Sequence, residues 1–261
     1  MKLEMMWAKV RAENRPALMA FLMAGYPTLE GSLELAEAAL EAGADGIELG
    51  MPFSDPLADG PLLQAAAQKA LAEGLTWKKL LAALFRWVPG IQAPVTLMSY
   101  VNPALALGFE RLAEEGAAMG LAGVLIPDLP VELAGSLVRE LRKRNLSYIP
   151  FLAPTSPPER WRAAGRYGTG FVYCVSVTGV TGVREGVPKD LPPFLDGVRR
   201  TLSLPVGVGF GISRGEQIRA LKPYADAFIV GSALVKAMNE GNGKPEKALM
   251  QKIRELREAL L

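Results

Sequence analysis

The sequence predicts an α/β protein in which eight strand–helix units close into one parallel barrel, preceded by an extra N-terminal helix, as a single domain over residues 1–261. Three observations carry this expectation. Short apolar runs followed by a turn and then by helical periodicity recur along the chain, the signature of successive βα units. About eight such units fill the chain, and eight in roughly 250 residues is the arithmetic of a (β/α)8, or TIM, barrel. No stretch rich in Pro, Gly or Ser interrupts the series, so nothing marks a second domain.

In chain order, the predicted strands are Ala17–Met23, Gly46–Leu49, Pro94–Met98, Gly123–Ile126, Tyr148–Leu152, Gly170–Val175, Pro205–Val208 and Ala227–Val230. Between them, Ser32–Glu41 sets Leu33, Ala36 and Leu40 on one face, interrupted only by Glu37. Val131–Arg144 does the same with Leu133, Leu137, Val138 and Leu141. Further helices are predicted at Leu3–Asn14 and Pro245–Leu261. A doubly wound sheet is the alternative, but the first strand runs into Ala24-Gly25-Tyr26-Pro27, which is not the Gly-rich dinucleotide turn that such folds carry.

Composition removes whole classes of chemistry. The chain contains no histidine and a single cysteine, Cys174, which excludes an intrachain disulfide, a zinc site built on His and Cys, and Ser-His-Asp or Cys-His catalysis. Any proton transfer must run on Asp, Glu, Tyr, Lys or that cysteine. The 29 Lys and Arg against 27 Asp and Glu are scattered and give no basic stripe for nucleic acid. Apolar runs such as Ala17–Ala24 are too short to span a bilayer, and the N-terminus lacks a secretory pattern, so the expected location is the cytoplasm.

In a parallel barrel, chemistry sits at the C-terminal ends of the strands. Alternation along the second strand sends Ile47 and Leu49 toward the helices and Glu48 into the barrel. Burial there raises a carboxyl toward neutrality and makes it a general acid and then a base; the competing reading is a glutamate satisfied by a neighbouring hydroxyl or Arg. Asp55 and Asp59 follow in a stiff Pro- and Gly-rich loop, either as solvated acids or as groups that stabilise positive charge over the same mouth.

Late in the chain, Phe210-Gly211-Ile212-Ser213 and Gly231-Ser232-Ala233 follow the seventh and eighth strands, where barrels of this kind cradle phosphate. Val177–Pro188 is a long Gly- and Thr-bearing loop suited to a lid or a mobile contact. None of the predicted strands carries a lysine, which disfavours a Schiff-base aldolase. What remains is cofactor-free acid–base chemistry on a phosphorylated small molecule, with Phe21, Met98, Tyr100 and Leu125 as apolar strand-end neighbours.

Gly50-Met51-Pro52-Phe53-Ser54-Asp55-Pro56-Leu57-Ala58-Asp59-Gly60-Pro61, with Pro127-Asp128-Leu129-Pro130, Val177-Thr178-Gly179-Val180-Thr181-Gly182, Gly209-Phe210-Gly211-Ile212 and Val230-Gly231-Ser232-Ala233, resembles the tryptophan synthase alpha subunit family. The resemblance covers nearly the whole chain. It implies cofactor-free retro-aldol cleavage of indole-3-glycerol phosphate to indole and D-glyceraldehyde 3-phosphate, a lyase step of tryptophan biosynthesis. It further implies Glu48 and Asp59 as catalytic residues, the first protonating the indole carbon that bears the side chain and the second facing the indole N–H.

By the same resemblance Phe21, Met98 and Leu125 line the indole pocket, Tyr173 orders the site, Thr181 meets Asp59 on lid closure, and Gly182, Gly211, Gly231 and Ser232 bind the phosphate. The family docks on a beta subunit in an alpha-beta-beta-alpha complex, with the loop around Asp55 in the contact. The pyridoxal phosphate belongs to that partner, and this chain is expected to hold neither cofactor nor metal. Two alternatives stand beside this: a weakly active barrel that serves mainly to activate the partner, and another phosphate-binding biosynthetic barrel.

Overall fold

The computed structural model describes residues 2–175, 187–209 and 211–261. Its strands are β1 (Ala17–Met23), β2 (Gly46–Gly50), β3 (Val95–Met98), β4 (Gly123–Leu125), β5 (Ser147–Tyr148), β6 (Phe151–Leu152), β7 (Val172–Val175), β8 (Val206–Gly209) and β9 (Ala227–Val230). All strand pairs are parallel, in the order β5-β4-β3-β2-β1-β9-β8-β7-β6.

The two ends of that order are pieces of one run. The predicted fifth strand, Tyr148–Leu152, appears as β5 and β6 because Pro150 has no N–H to give to a ladder. Ile149 N–H still bonds to the Val124 carbonyl and the Pro150 carbonyl still accepts from Tyr173, so the run joins β4 to β7 and the sheet closes into the expected eight-stranded barrel.

The helices are α1 (Lys2–Ala12), α2 (Leu29–Glu41), α3 (Pro61–Ala72), α4 (Trp77–Trp87), α5 (Val101–Leu107), α6 (Phe109–Met119), α7 (Gly135–Lys143), α8 (Pro158–Tyr167), α9 (Leu191–Thr201), α10 (Gly215–Leu221), α11 (Ser232–Glu240) and α12 (Pro245–Glu258). α2 begins three residues before its predicted start because the Thr28 hydroxyl caps it, accepting from the Gly31 N–H at 3.0 Å. The helix predicted over Val131–Arg144 divides into a 3-10 turn, Val131–Leu133, and α7. α1 covers the N-terminal end of the barrel, where Trp7 packs edge-on against Phe171 with ring centroids 6.0 Å apart.

That lower end is tied by a buried ion pair. Arg15, just before β1, grips both oxygens of Asp45, just before β2, at 2.7 and 2.8 Å. Asp45 also accepts the Leu18 N–H at 3.0 Å. Burial alone would raise the Asp45 carboxyl, but these donors together hold it below its ordinary value. Among the described residues, no helix is long and apolar enough to cross a membrane.

Candidate active site

The pocket at the C-terminal end of the barrel is built from strand ends. Phe21, Glu48, Asp59, Leu63, Met98, Tyr173, Gly211, Ile212, Ile229, Gly231 and Ser232 line it. Its shape depends on glycines beside aromatic rings. A Cβ on Gly50 would lie 2.6 Å from the Phe21 ring, and one on Gly231 would lie 2.8 Å from it. The two bare positions on β2 and just after β9 thus make room for that ring between them. Gly209 on β8 is likewise covered by the Tyr173 phenol, which stacks on Phe151 with centroids 4.4 Å apart.

Glu48 and Asp59 are each only 1% exposed. Oε2 of Glu48 is buried and meets no hydrogen-bond donor among the described residues. Burial pushes the Glu48 carboxyl up to about 8, with the nearby charge of Asp59 adding to the rise. A glutamate held only for structure would be expected to have both oxygens satisfied, and among the described residues nothing satisfies Oε2 of Glu48. Asp59 is no solvated loop acid either. Burial raises it to about 6, and the Tyr100 hydroxyl, donating to Oδ2 at 3.0 Å, pulls the other way. Gln64 at the start of α3 donates to the Asp59 carbonyl at 2.9 Å and fixes the loop on the helix.

Of the residues singled out from the sequence, Phe21, Glu48, Asp59, Met98, Tyr173, Gly211, Gly231 and Ser232 meet in this one pocket. Leu125 is fully buried on β4 but is not among the lining residues; Met98, its register partner on β3, furnishes that part of the wall. Asp55 is exposed on the loop between β2 and α3, away from the lining. Thr181 and Gly182, with the rest of the Val177–Gly182 motif and most of the predicted Val177–Pro188 loop, lie outside the described residues.

Sequence reasoning placed Tyr100 only as an apolar neighbour and missed its bond to Asp59. It also missed Leu63, Ile212 and Ile229 in the wall. The position of Tyr100, two residues past Met98 on the rim of β3, was the available signal. Among the described residues no group of three or more His, Cys, Asp or Glu could hold a metal ion.

Fold and pocket together define a TIM-barrel enzyme with two buried carboxyls beside the glycine-bearing loops of the last two strands. The tryptophan synthase alpha chain family model matches residues 7–260. The tryptophan synthase alpha chain of Roseiflexus castenholzii is 45% identical over 238 residues, covering 90% of this chain and 91% of the relative. That of Synechococcus elongatus is 43% identical over 255 residues, with 97% and 95% covered. A solved structure of Mycobacterium tuberculosis tryptophan synthase superposes with a TM-score of 0.91 at 36% identity, over 99% of this chain and 98% of that one. The chain belongs to the tryptophan synthase alpha chain family.

Proposed function

We propose that this chain, acting as one domain, is a lyase that cleaves indole-3-glycerol phosphate to indole and D-glyceraldehyde 3-phosphate. The observation that carries the reading is the carboxyl pair, with Glu48 raised to about 8 and Asp59 to about 6. At pH 7 the first holds its proton and the second is ionised. Glu48 gives that proton to the indole carbon bearing the side chain, and the ring nitrogen takes up the positive charge. The Asp59 carboxylate faces the N–H and stabilises that charge in a dry site. The carbon–carbon bond then breaks with its electrons returning to the ring, while the glycerol hydroxyl next to the ring becomes the aldehyde and returns its proton to Glu48. Phe21 and Met98 hold the ring, and Tyr173 orders the site.

At the other end of the pocket, Gly211, Gly231 and Ser232 receive the phosphate; the family resemblance assigns Gly182 to the phosphate as well and Thr181 to a contact with Asp59 on lid closure. Gly231 and Ser232 open α11, whose N-terminal N–H groups favour an anion. Catalysis needs no cofactor on this chain.

The family implies a beta-subunit partner in an alpha-beta-beta-alpha assembly, which uses the pyridoxal phosphate and consumes the indole. The rim supports that partnership. Leu57, Leu105 and Leu133 are 80%, 57% and 69% exposed, and they follow β2, β3 and β4, three neighbouring strands, as Asp55 follows β2. Large apolar side chains exposed after three adjacent strands suit a protein contact at that end of the barrel. A spectroscopic assay of indole release from indole-3-glycerol phosphate, with and without a beta subunit, tests the whole reading. Indole appears with the chain alone and faster with the partner; no indole under either condition overturns it.

A further inference from the structure

The turn between β8 and α10 contributes Gly211 and Ile212 to the pocket, and one side chain outside the lining holds that turn. Gln217 in the first turn of α10 is 6% exposed. Its Oε1 accepts the Ser213 N–H at 2.8 Å, the Arg214 N–H at 3.0 Å and the Ser213 hydroxyl at 3.3 Å. Its Nε2 donates to the Gly211 carbonyl at 3.0 Å. A single carboxamide thus bridges both ends of the segment 211–214. Gly211 has φ +83°, a left-handed conformation that a side chain would strain, so the turn cannot easily be held by substituting a stiffer residue there.

The consequence lies in the peptide joining Gly211 to Ile212. That bond is not among the cis peptides, and in a trans peptide the carbonyl and the N–H point in opposite directions. With the Gly211 carbonyl drawn to Gln217, the Ile212 N–H is turned away from the carboxamide, and the two residues that this peptide joins both line the pocket.

We propose that Gln217 is a positioning residue for the anion-binding end of the pocket, holding the turn 211–214 so that the Ile212 N–H meets a phosphoryl oxygen of the ligand. This rests on the reading of a phosphorylated substrate given above. Glutamine is suited because both halves of the amide are used. A glutamate keeps the acceptor for Ser213 and Arg214 but loses the donor to Gly211 and brings a negative charge close to the phosphate.

The test compares the full-length chain with Gln217→Met, which keeps bulk and loses the bonds, and with Gln217→Glu. Calorimetry measures the affinity of glycerol 3-phosphate and, separately, of uncharged indole. Steady-state kinetics with indole-3-glycerol phosphate separates KM from kcat. In both variants glycerol 3-phosphate binding weakens about tenfold or more, the scale of one charge-assisted hydrogen bond lost. Indole affinity stays within about twofold, and KM rises in step while kcat changes by less than about threefold.

A purely structural role would weaken both ligands together. That result, or unchanged glycerol 3-phosphate affinity in both variants, overturns the proposal. So does a wild-type chain that does not bind glycerol 3-phosphate. If Gln217→Met melts below the assay temperature, Gln217→Glu, which keeps the acceptor contacts, decides. A wild-type chain that binds glycerol 3-phosphate but releases no indole refutes the lyase reading, and the calorimetric comparison still decides the role of Gln217.

Discussion

The Tyr100 hydroxyl donates to Oδ2 of Asp59 at 3.0 Å and accepts the Ala58 N–H at 3.2 Å, so one phenol past the end of β3 holds both a loop backbone and its carboxylate. That bond works against the burial that raises Asp59 to about 6. Tyr100→Phe removes the donor, so the Asp59 value rises further and the acidic limb of kcat/KM moves up by about one pH unit. The pH–rate profile of the variant checks this, and an unmoved limb would assign that titration to another group.

Glu48 couples catalysis to stability. Its folded value of about 8 lies above its ordinary 4.5, so the folded chain keeps a proton that the unfolded chain sheds. Its contribution to stability is therefore fully present below about pH 4.5 and is lost progressively as the pH rises to about 8. Glu48→Gln removes this penalty. The variant is expected to release no indole yet to be more stable than the wild type at pH 9, by an amount on the order of a few kcal/mol, with the difference gone near pH 4. Thermal melts at the two pH values measure it; a variant less stable at pH 9 contradicts the assignment.

Much of this was legible in the sequence where one periodicity or one residue type governs. Ala17–Met23 and Ala227–Val230 read as strands because uniformly apolar runs bounded by turns have few other uses, and both occur at those limits. Glu48 could be aimed inward from alternation alone. Contacts between distant residues left no local trace. That Tyr100 would reach Asp59, 41 residues earlier in the chain, depends on how neighbouring strand ends converge. The sequence reading runs the fifth strand unbroken over Tyr148–Leu152 and passes over Pro150, whose missing N–H breaks the ladder without breaking the barrel.

Gly209 is expected to be irreplaceable. An alanine Cβ there would overlap the Tyr173 hydroxyl and ring, and Tyr173 is held on its other side by Phe151. Overpacking of this kind costs about 1–3 kcal/mol. Gly209→Ala should lower the melting temperature by several degrees, on the scale expected for a domain of this size. It should also reduce the rate of indole release, because the displaced phenol lines the pocket. A fully active and equally stable variant would show that the ring can move without consequence.

At the opposite end, Asp45 and Arg15 bear on stability alone. Asp45→Ala leaves the Arg15 guanidinium buried beside a lost partner and is expected to cost about 3–5 kcal/mol in urea unfolding at pH 7. Burial pushes Asp45 up, but Arg15 and the Leu18 N–H outweigh it and hold the carboxyl low. The stabilisation is therefore present above the ordinary value of 3.8 and is lost as the pH falls through the lower folded value. The advantage of the wild type over Asp45→Asn should be full at pH 7 and shrink below pH 4. An advantage independent of pH would deny the ion pair its role.

The division of labour between Glu48 and Asp59 is tested most directly by kcat/KM for indole release measured from pH 5 to 9.5. A protonated Glu48 acting beside an ionised Asp59 gives a bell with limbs near 6 and 8. A rate that climbs through pH 8 to an alkaline plateau would mean that Glu48 acts as the carboxylate from the start, and would contradict the assignment.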